Sequence, residues 1–207
     1  MLADHFRDNP SNYKNLVIDA TFVKNVSGRD GTGKNPTDRG RQATKVSVIS
    51  TDSGIPVGVT YAPGNVADSR LVEETLDDIP GCFFSDKRRR YCLIGDKGYL
   101  LKSEVLSQLR QKYRTRIIRP RKTNDRRYRV SHNDCKKLRK RICIEQLFGR
   151  IDKFKRVKER HDHSLLVFTA LHDLAILLVF IERVLQVETF TRMSNLSNRL
   201  FESHAPS

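Results

Sequence analysis

Two short apolar runs in this chain each end on a carboxylate, and that pairing restricts what the chain can fold into. Leu16-Val17-Ile18 runs into Asp19, and Tyr91-Cys92-Leu93-Ile94-Gly95 runs into Asp96. Both runs read as short buried strands. A carboxylate at the end of a buried strand is costly unless something positive sits beside it. A third acid, Glu145, lies within Arg141-Ile142-Cys143-Ile144-Glu145-Gln146-Leu147-Phe148-Gly149-Arg150, an amphipathic helical pattern. Two strand ends and one helix that converge on a point would form a carboxylate cage for divalent cations, which prefer oxygen ligands.

The surroundings of these acids are basic. Lys and Arg number 39 against 24 acids, a net charge of +15. Such an excess favours a polyanionic partner, and a carboxylate metal site inside a basic protein suggests phosphodiester chemistry on nucleic acid. The alternative from charge alone is a solvated basic surface or a nucleic-acid binder without chemistry. Cys82, Cys92, Cys135 and Cys143 show no C-x-x-C spacing, which argues against a zinc knuckle and fits free thiols in a reducing compartment. The N-terminus, Met1-Leu2-Ala3-Asp4-His5, is too polar for a signal peptide. The longest apolar stretch, Leu165 to Leu185, contains His172, Asp173, Glu182 and Arg183. Those residues are expensive in a bilayer, so the stretch reads as a buried helix and no membrane partner is expected.

Along the chain, strands are expected at Val17–Ala20, Thr44–Ser50, Ile55–Tyr61, Tyr91–Gly95 and Thr115–Ile118. Thr51-Asp52-Ser53-Gly54 reads as a hairpin turn, with Asp52 a turn residue. The glycine-rich segment Lys24–Arg41 reads as a loop and Arg121–Lys140 as a basic irregular stretch. Helices are expected at Asp68–Leu76, Leu101–Lys112, Lys140–Val157 and Ser164–Leu185. This order predicts a mixed α/β layer fold, with a central sheet carrying the two aspartates and helices packed over it. Residues 1–15 read as a lead-in, 16–187 as one catalytic domain and 188–207 as a loose tail.

Several segments together carry a family resemblance. They are VIDAT around Asp19, NPTDRGRQATKVSVISTDSGIPVGVTYAPGNVADS, LIGDKGY around Asp96, and RICIEQLFGRIDKFKRV around Glu145. In this order they resemble the DDE transposases of bacterial insertion sequences, in the branch with a small insertion between the second Asp and the Glu. The resemblance runs from about Leu16 to Leu185. It implies an RNase H-like mixed sheet flanked by helices, two Mg²⁺ or Mn²⁺ ions, and DNA strand cleavage and transfer. By motif, Asp19, Asp96 and Glu145 are the catalytic, metal-holding acids. The Arg141-x-x-x-Glu145 spacing matches the family's signature. Its tyrosine three residues before that arginine is Leu138 here, and its lysine seven after the glutamate is Asp152, with Lys153 one place later. Gly98 and Tyr99 match the glycine–tyrosine after the second acid; without the resemblance they read as a turn and a packing aromatic.

Such transposases usually carry a helical DNA-binding region ahead of the first acid. Only residues 1–18 precede Asp19 here, so the chain reads as a catalytic core whose DNA-binding region is absent or encoded separately. Asp152, on the same helix as Glu145, competes for the metal-binding role, as does Asp68, which reads as a helix cap or as a group supporting the metal ligands. Arg141, Lys153, Arg126, Arg127, Arg129 and Lys45 are expected to contact DNA, and a homodimer is expected as a partner state. No small-molecule cofactor is expected. The location would be the cytoplasm beside DNA in a bacterial host, or the nucleus in a eukaryotic one. The alternatives are a nuclease without strand transfer and a domesticated or truncated DNA-binding protein of the same fold.

Overall fold

The computed structural model describes residues 13–185 except 85, 87, 124, 126 and 127. Their centre is a seven-stranded mixed sheet. Its strands are β1 (Asn15–Asn25), β2 (Gly33–Lys34), β3 (Gln42–Thr51), β4 (Pro56–Pro63), β5 (Tyr91–Ile94), β6 (Thr115–Ile118) and β7 (Glu159–Arg160). The order runs β2-β3-β1-β5-β6, with β4 also on β3 and the short β7 on the far end of β1. β1, β3 and β4 are antiparallel, whereas β5 and β6 run parallel to β1.

Alternation along the strands divides the core in two. Leu16, Ile18, Ile49 and Leu93 face one side, where α1 (Val72–Asp77) and α2 (Ser103–Lys112) contribute Val72, Leu76 and Leu109. Val17, Val46, Val48 and Ile94 face the other, under α4 (Ile142–Ile151) and α6 (Leu165–Leu185), which contribute Ile144, Leu147, Phe168 and Val179. The expected mixed α/β sheet flanked by helices is therefore what the chain forms. β6 has its expected ends, and β1 extends well past the expected Ala20.

Three expectations are corrected. The basic stretch 121–140 contains a helix, α3 (His132–Leu138), whose N-cap Ser131 accepts a hydrogen bond from the Asp134 amide at 3.1 Å. The expected helix Lys140–Val157 ends at Ile151. Phe154 turns extended, and one turn, α5 (Lys155–Lys158), leads into β7. The expected buried helix, α6, is buried on one side only. Leu166 is 75% exposed and Leu174 52%, because a sheet covers only the side of a helix that lies on it. By length and composition alone Leu165–Val184 is long and apolar enough to cross a membrane, yet here it packs along the sheet through Phe168, Ala175 and Val179.

Arg160 ties the β7 corner together from inside the protein. It is fully buried. Its guanidinium donates to the Asp30 carbonyl (2.7 Å), Thr44 Oγ1 (2.9 Å), Asp30 Oδ1 (2.8 Å), the Asp162 carbonyl (3.1 Å) and the His163 carbonyl (3.1 Å). The loop before β2, β3 and the start of α6 are thereby joined through one side chain.

Candidate active site

The register of the parallel strands places the first two acids. β1 and β5 pair up to Val17 opposite Ile94, and Asp19 and Asp96 each lie two residues further on. Side chains alternate along a strand, so Asp19 shares the face of Val17. That is the face covered by α4. Arg141, the residue that leads into α4, donates from Nη2 to Asp19 Oδ2 at 3.3 Å. The Ala20 amide donates to Asp19 Oδ1 at 2.9 Å. Burial pushes the Asp19 carboxyl above its ordinary range despite both contacts, and the nearby Asp96 adds to the rise.

Asp96 is held by the turn that follows it. The Gly98 amide donates to Asp96 Oδ1 at 2.6 Å. A Cβ at position 98 would lie 2.8 Å from that same oxygen, and one at Gly95 would lie 2.8 Å from the Tyr99 ring. The Gly-Asp-Lys-Gly-Tyr segment therefore needs both glycines for close approach. It folds Tyr99 back beneath Gly95, where the tyrosine is fully buried. The Tyr99 hydroxyl has no hydrogen-bond partner among the described residues. Burial and the charges of Asp19, Asp68 and Asp96 raise its pKa well above the ordinary tyrosine value.

Asp68 is not a helix cap. Its carboxylate accepts from Lys45 Nζ at 2.6 Å, and the same ammonium donates to the Val66 carbonyl at 2.6 Å and sits 4.7 Å from the centre of the Phe22 ring. Lys45 is 4% exposed. The expectation of a DNA-contacting Lys45 is corrected accordingly, because its charge is directed inward to the first turn after β4. The alternating polar residues of β3 gave no sign of this.

The other expected residues lie as follows. Glu145 is exposed on the first turn of α4. No group of three His, Cys, Asp or Glu side chains close enough to hold a metal ion occurs among the described residues. The structure thus brings Asp19, Asp96 and Arg141 together without gathering Glu145 into the same cluster. Asp152 caps the end of α4 and lines a cavity of about 230 Å³ with Thr21 and His172. Lys153 and Arg129 are exposed, whereas Arg126 and Arg127 lie outside the described residues. In the same basic stretch, Arg119 is 5% exposed, ion-paired with Asp125 and stacked 4.3 Å from the Tyr128 ring, so part of that charge is structural. Asp52, the expected turn residue, accepts from Asn15 Nδ2 at 2.9 Å and pairs with Lys140, joining the β3–β4 hairpin to the residues before α4.

Two neighbouring carboxylates, one inside β1 and one just past the end of the parallel β5, fit a hard divalent cation. Like charges at close range repel until a cation arrives, and carboxylate oxygens are the ligands that Mg²⁺ and Mn²⁺ favour.

Several solved transposase structures are similar to this chain. A piggyBac transposase synaptic complex with hairpin DNA is 14% identical with a TM-score of 0.41, covering 56% of this chain and 24% of the other. A Mos1 transposase paired-end complex is 12% identical with a TM-score of 0.35, covering 72% of this chain and 56% of the other. The catalytic domain of Mos1 mariner transposase is 12% identical with a TM-score of 0.37, covering 88% and 84%. This chain therefore spans about a quarter of the piggyBac chain and just over half of the Mos1 chain in the paired-end complex. The Mos1 catalytic domain has also been solved with raltegravir together with Mn or Mg. No curated protein matches the chain in sequence. The family described as Transposase DDE domain matches residues 10–180, and this chain belongs to that family.

Proposed function

We propose that the chain is the catalytic core of a transposase of the bacterial insertion-sequence type, cutting DNA and joining strands with a divalent cation. The observation that carries the reading is the neighbourhood of Asp19, inside β1 on the face that α4 covers, and Asp96, just past the end of the adjacent parallel strand β5. A cation held by Asp19 and Asp96 would activate the attacking oxygen and stabilise the leaving one. Glu145 is the third ligand in this reading, and α4 must carry it toward the pair when DNA and metal are present.

The rest of the chemistry belongs to side chains in place. Arg141 neutralises Asp19 before loading, and its Nε, buried without a partner among the described residues, is a free donor at the site. A guanidinium that releases Asp19 to a cation can turn to a phosphate oxygen. The Gly98 amide fixes one Asp96 oxygen and leaves the other for a cation. The exposed position of Glu145 favours a second reading, a DNA-binding protein of the same fold that does not turn over.

Metal-dependent cleavage of duplex DNA carrying candidate element ends separates these readings. Glu145→Gln keeps the length of the side chain and removes its charge. Strand cleavage should fall by orders of magnitude while DNA affinity holds. A wild-type chain that binds DNA and cleaves none under any metal leaves the non-catalytic reading in possession.

A further inference from the structure

The end of the sheet opposite the acids carries a second charged feature that the transposase reading leaves unused. The starts of β5 and β6, the end of α2 and the residues before β5 enclose an open groove of about 980 Å³. Arg88, Arg90, Arg110, Arg114 and Arg116 line it, and none of the lining residues is acidic. All five arginines are exposed. Arg116 is tethered by two bonds to Asp134 of α3, at 2.7 and 3.1 Å, so one wall of the groove is fixed. Arg114 holds a left-handed backbone conformation, φ 52°, at the tight turn between α2 and β6. That conformation is uncommon for a residue with a side chain, and here it presents an arginine at the groove.

Arg116 already has a carboxylate partner in Asp134, which leaves Arg88, Arg90, Arg110 and Arg114 as like charges along one groove. They suit a ligand with several regularly spaced negative charges better than a single small anion. Tyr91 and Thr115 in the lining are buried, so its exposed residues are the arginines and Gln111. Such a surface recognises a sugar–phosphate backbone without reading sequence.

The strands fix the separation from the reaction. β5 enters at Tyr91 beside the groove and leaves toward Asp96, five residues on. At about 3.3 Å per residue, the groove lies roughly 16 Å from the acids. That distance corresponds to about five steps along one DNA strand at 3.4 Å each.

We infer that the groove is a second DNA-backbone site, binding a stretch of duplex at least about five base pairs from the phosphodiester held at Asp19 and Asp96. The inference rests on the proposed DNA chemistry for its choice of polyanion. Its role is to clamp the length of DNA beyond the scissile position, so that the reacting phosphate is held by a chain gripping the duplex at two points.

The test is the salt dependence of binding to a 30-base-pair duplex of arbitrary sequence. Arg88→Gln, Arg90→Gln and Arg110→Gln are combined. Arg114 and Arg116 are left alone because one sets the turn and the other holds α3. Each phosphate contact contributes about 0.9 to the slope of log affinity against log salt, so the triple variant should lose up to about 2.7 from that slope. The matching triple Lys variant should keep the wild-type slope, since counterion release follows charge. A purely structural role would instead leave the slope alone. A Gln triple with the wild-type slope overturns the proposal, and so does a groove that binds single-stranded RNA in preference to duplex DNA. The two levels of the account fail separately. If wild type cleaves DNA and the Gln triple keeps its slope, the groove falls and the transposase reading stands. If the Gln triple loses its slope while no preparation cleaves, the groove stands and the catalytic reading falls.

Discussion

Acid should loosen the attachment of α6 to the sheet through one residue. His172 is 1% exposed on the inner side of α6, and burial lowers its pKa from the ordinary 6.5 to about 4. Its Nδ1 lies 3.1 Å from the Tyr61 hydroxyl of β4, which donates in turn to Asp173 Oδ1 at 2.5 Å. That arrangement suits a neutral imidazole donating from Nδ1. The folded state holds back a proton that the unfolded chain takes up below pH 6.5. Stability is therefore intact above 6.5 and is lost as pH falls toward 4. Integrated from pH 7 to pH 4, a difference of 2.5 pKa units costs about 3 kcal/mol, a large share of an ordinary domain's stability. Asp173, whose carboxyl is raised by its own burial, works in the opposite sense at the low end of this window and partly masks the loss. His172→Asn puts an amide nitrogen near the Nδ1 position and removes the titration. Urea unfolding of both proteins at pH 7, 6, 5 and 4 isolates the term, since Asp173 is common to both. The wild type should lose about 3 kcal/mol more than His172→Asn across the range. Parallel pH profiles would show that His172 is not held neutral by its burial and would refute the reasoning.

Two further expectations concern the frame and the acid turn. Arg160→Met removes the buried guanidinium and strands the carbonyls of Asp30 and Asp162, while the His163 carbonyl keeps the Arg29 amide, so urea unfolding should show a loss of about 3–5 kcal/mol; a loss under about 1 kcal/mol would mean that the corner has other support. Gly98→Ala drives a methyl toward the Asp96 oxygen that the Gly98 amide holds, so cleavage should fall about tenfold or more with little change in the urea midpoint; unchanged cleavage would mean that the turn does not set the Asp96 position.

The parts of this fold that were legible in the sequence are those decided by local pattern. The apolar runs before Asp19 and Asp96 are strands, Thr115–Ile118 is a strand, and the apolar stripe of α4 faces the sheet. The parts that were hidden depend on partners distant in sequence. α4 stops at Ile151 because residues 159–160 must reach Lys24 and Asn25 of β1, and the Arg160 bonds that fix this corner join residues up to 130 positions apart. Lys45 reads as a surface lysine on an alternating strand, and only the fold reveals Asp68 and Phe22 as its partners. Tyr99 looks like a packing aromatic, and its ring does pack, but its buried hydroxyl also feels the charges of Asp19, Asp68 and Asp96. The cap of α3 was visible as Ser131 followed three residues later by Asp134, and the basic composition around it obscured the signal. The pairing of Asp19 with Asp96 follows from parallel register, which neither strand encodes alone.

The central claim is that Asp19 and Asp96 together form a divalent-cation site. The most direct measurement is the thermal unfolding temperature of the purified chain titrated with Mn²⁺, for wild type and for the combined Asp19→Asn, Asp96→Asn variant. A cation that binds only the folded state stabilises it by about 2.7 kcal/mol at one hundred times its dissociation constant, enough to move the midpoint by several degrees. The account predicts a rise in the wild type that saturates with Mn²⁺ and is absent from the double variant, with the metal-free variant folded. An equal Mn²⁺-dependent rise in both proteins would place the cation elsewhere and contradict the claim.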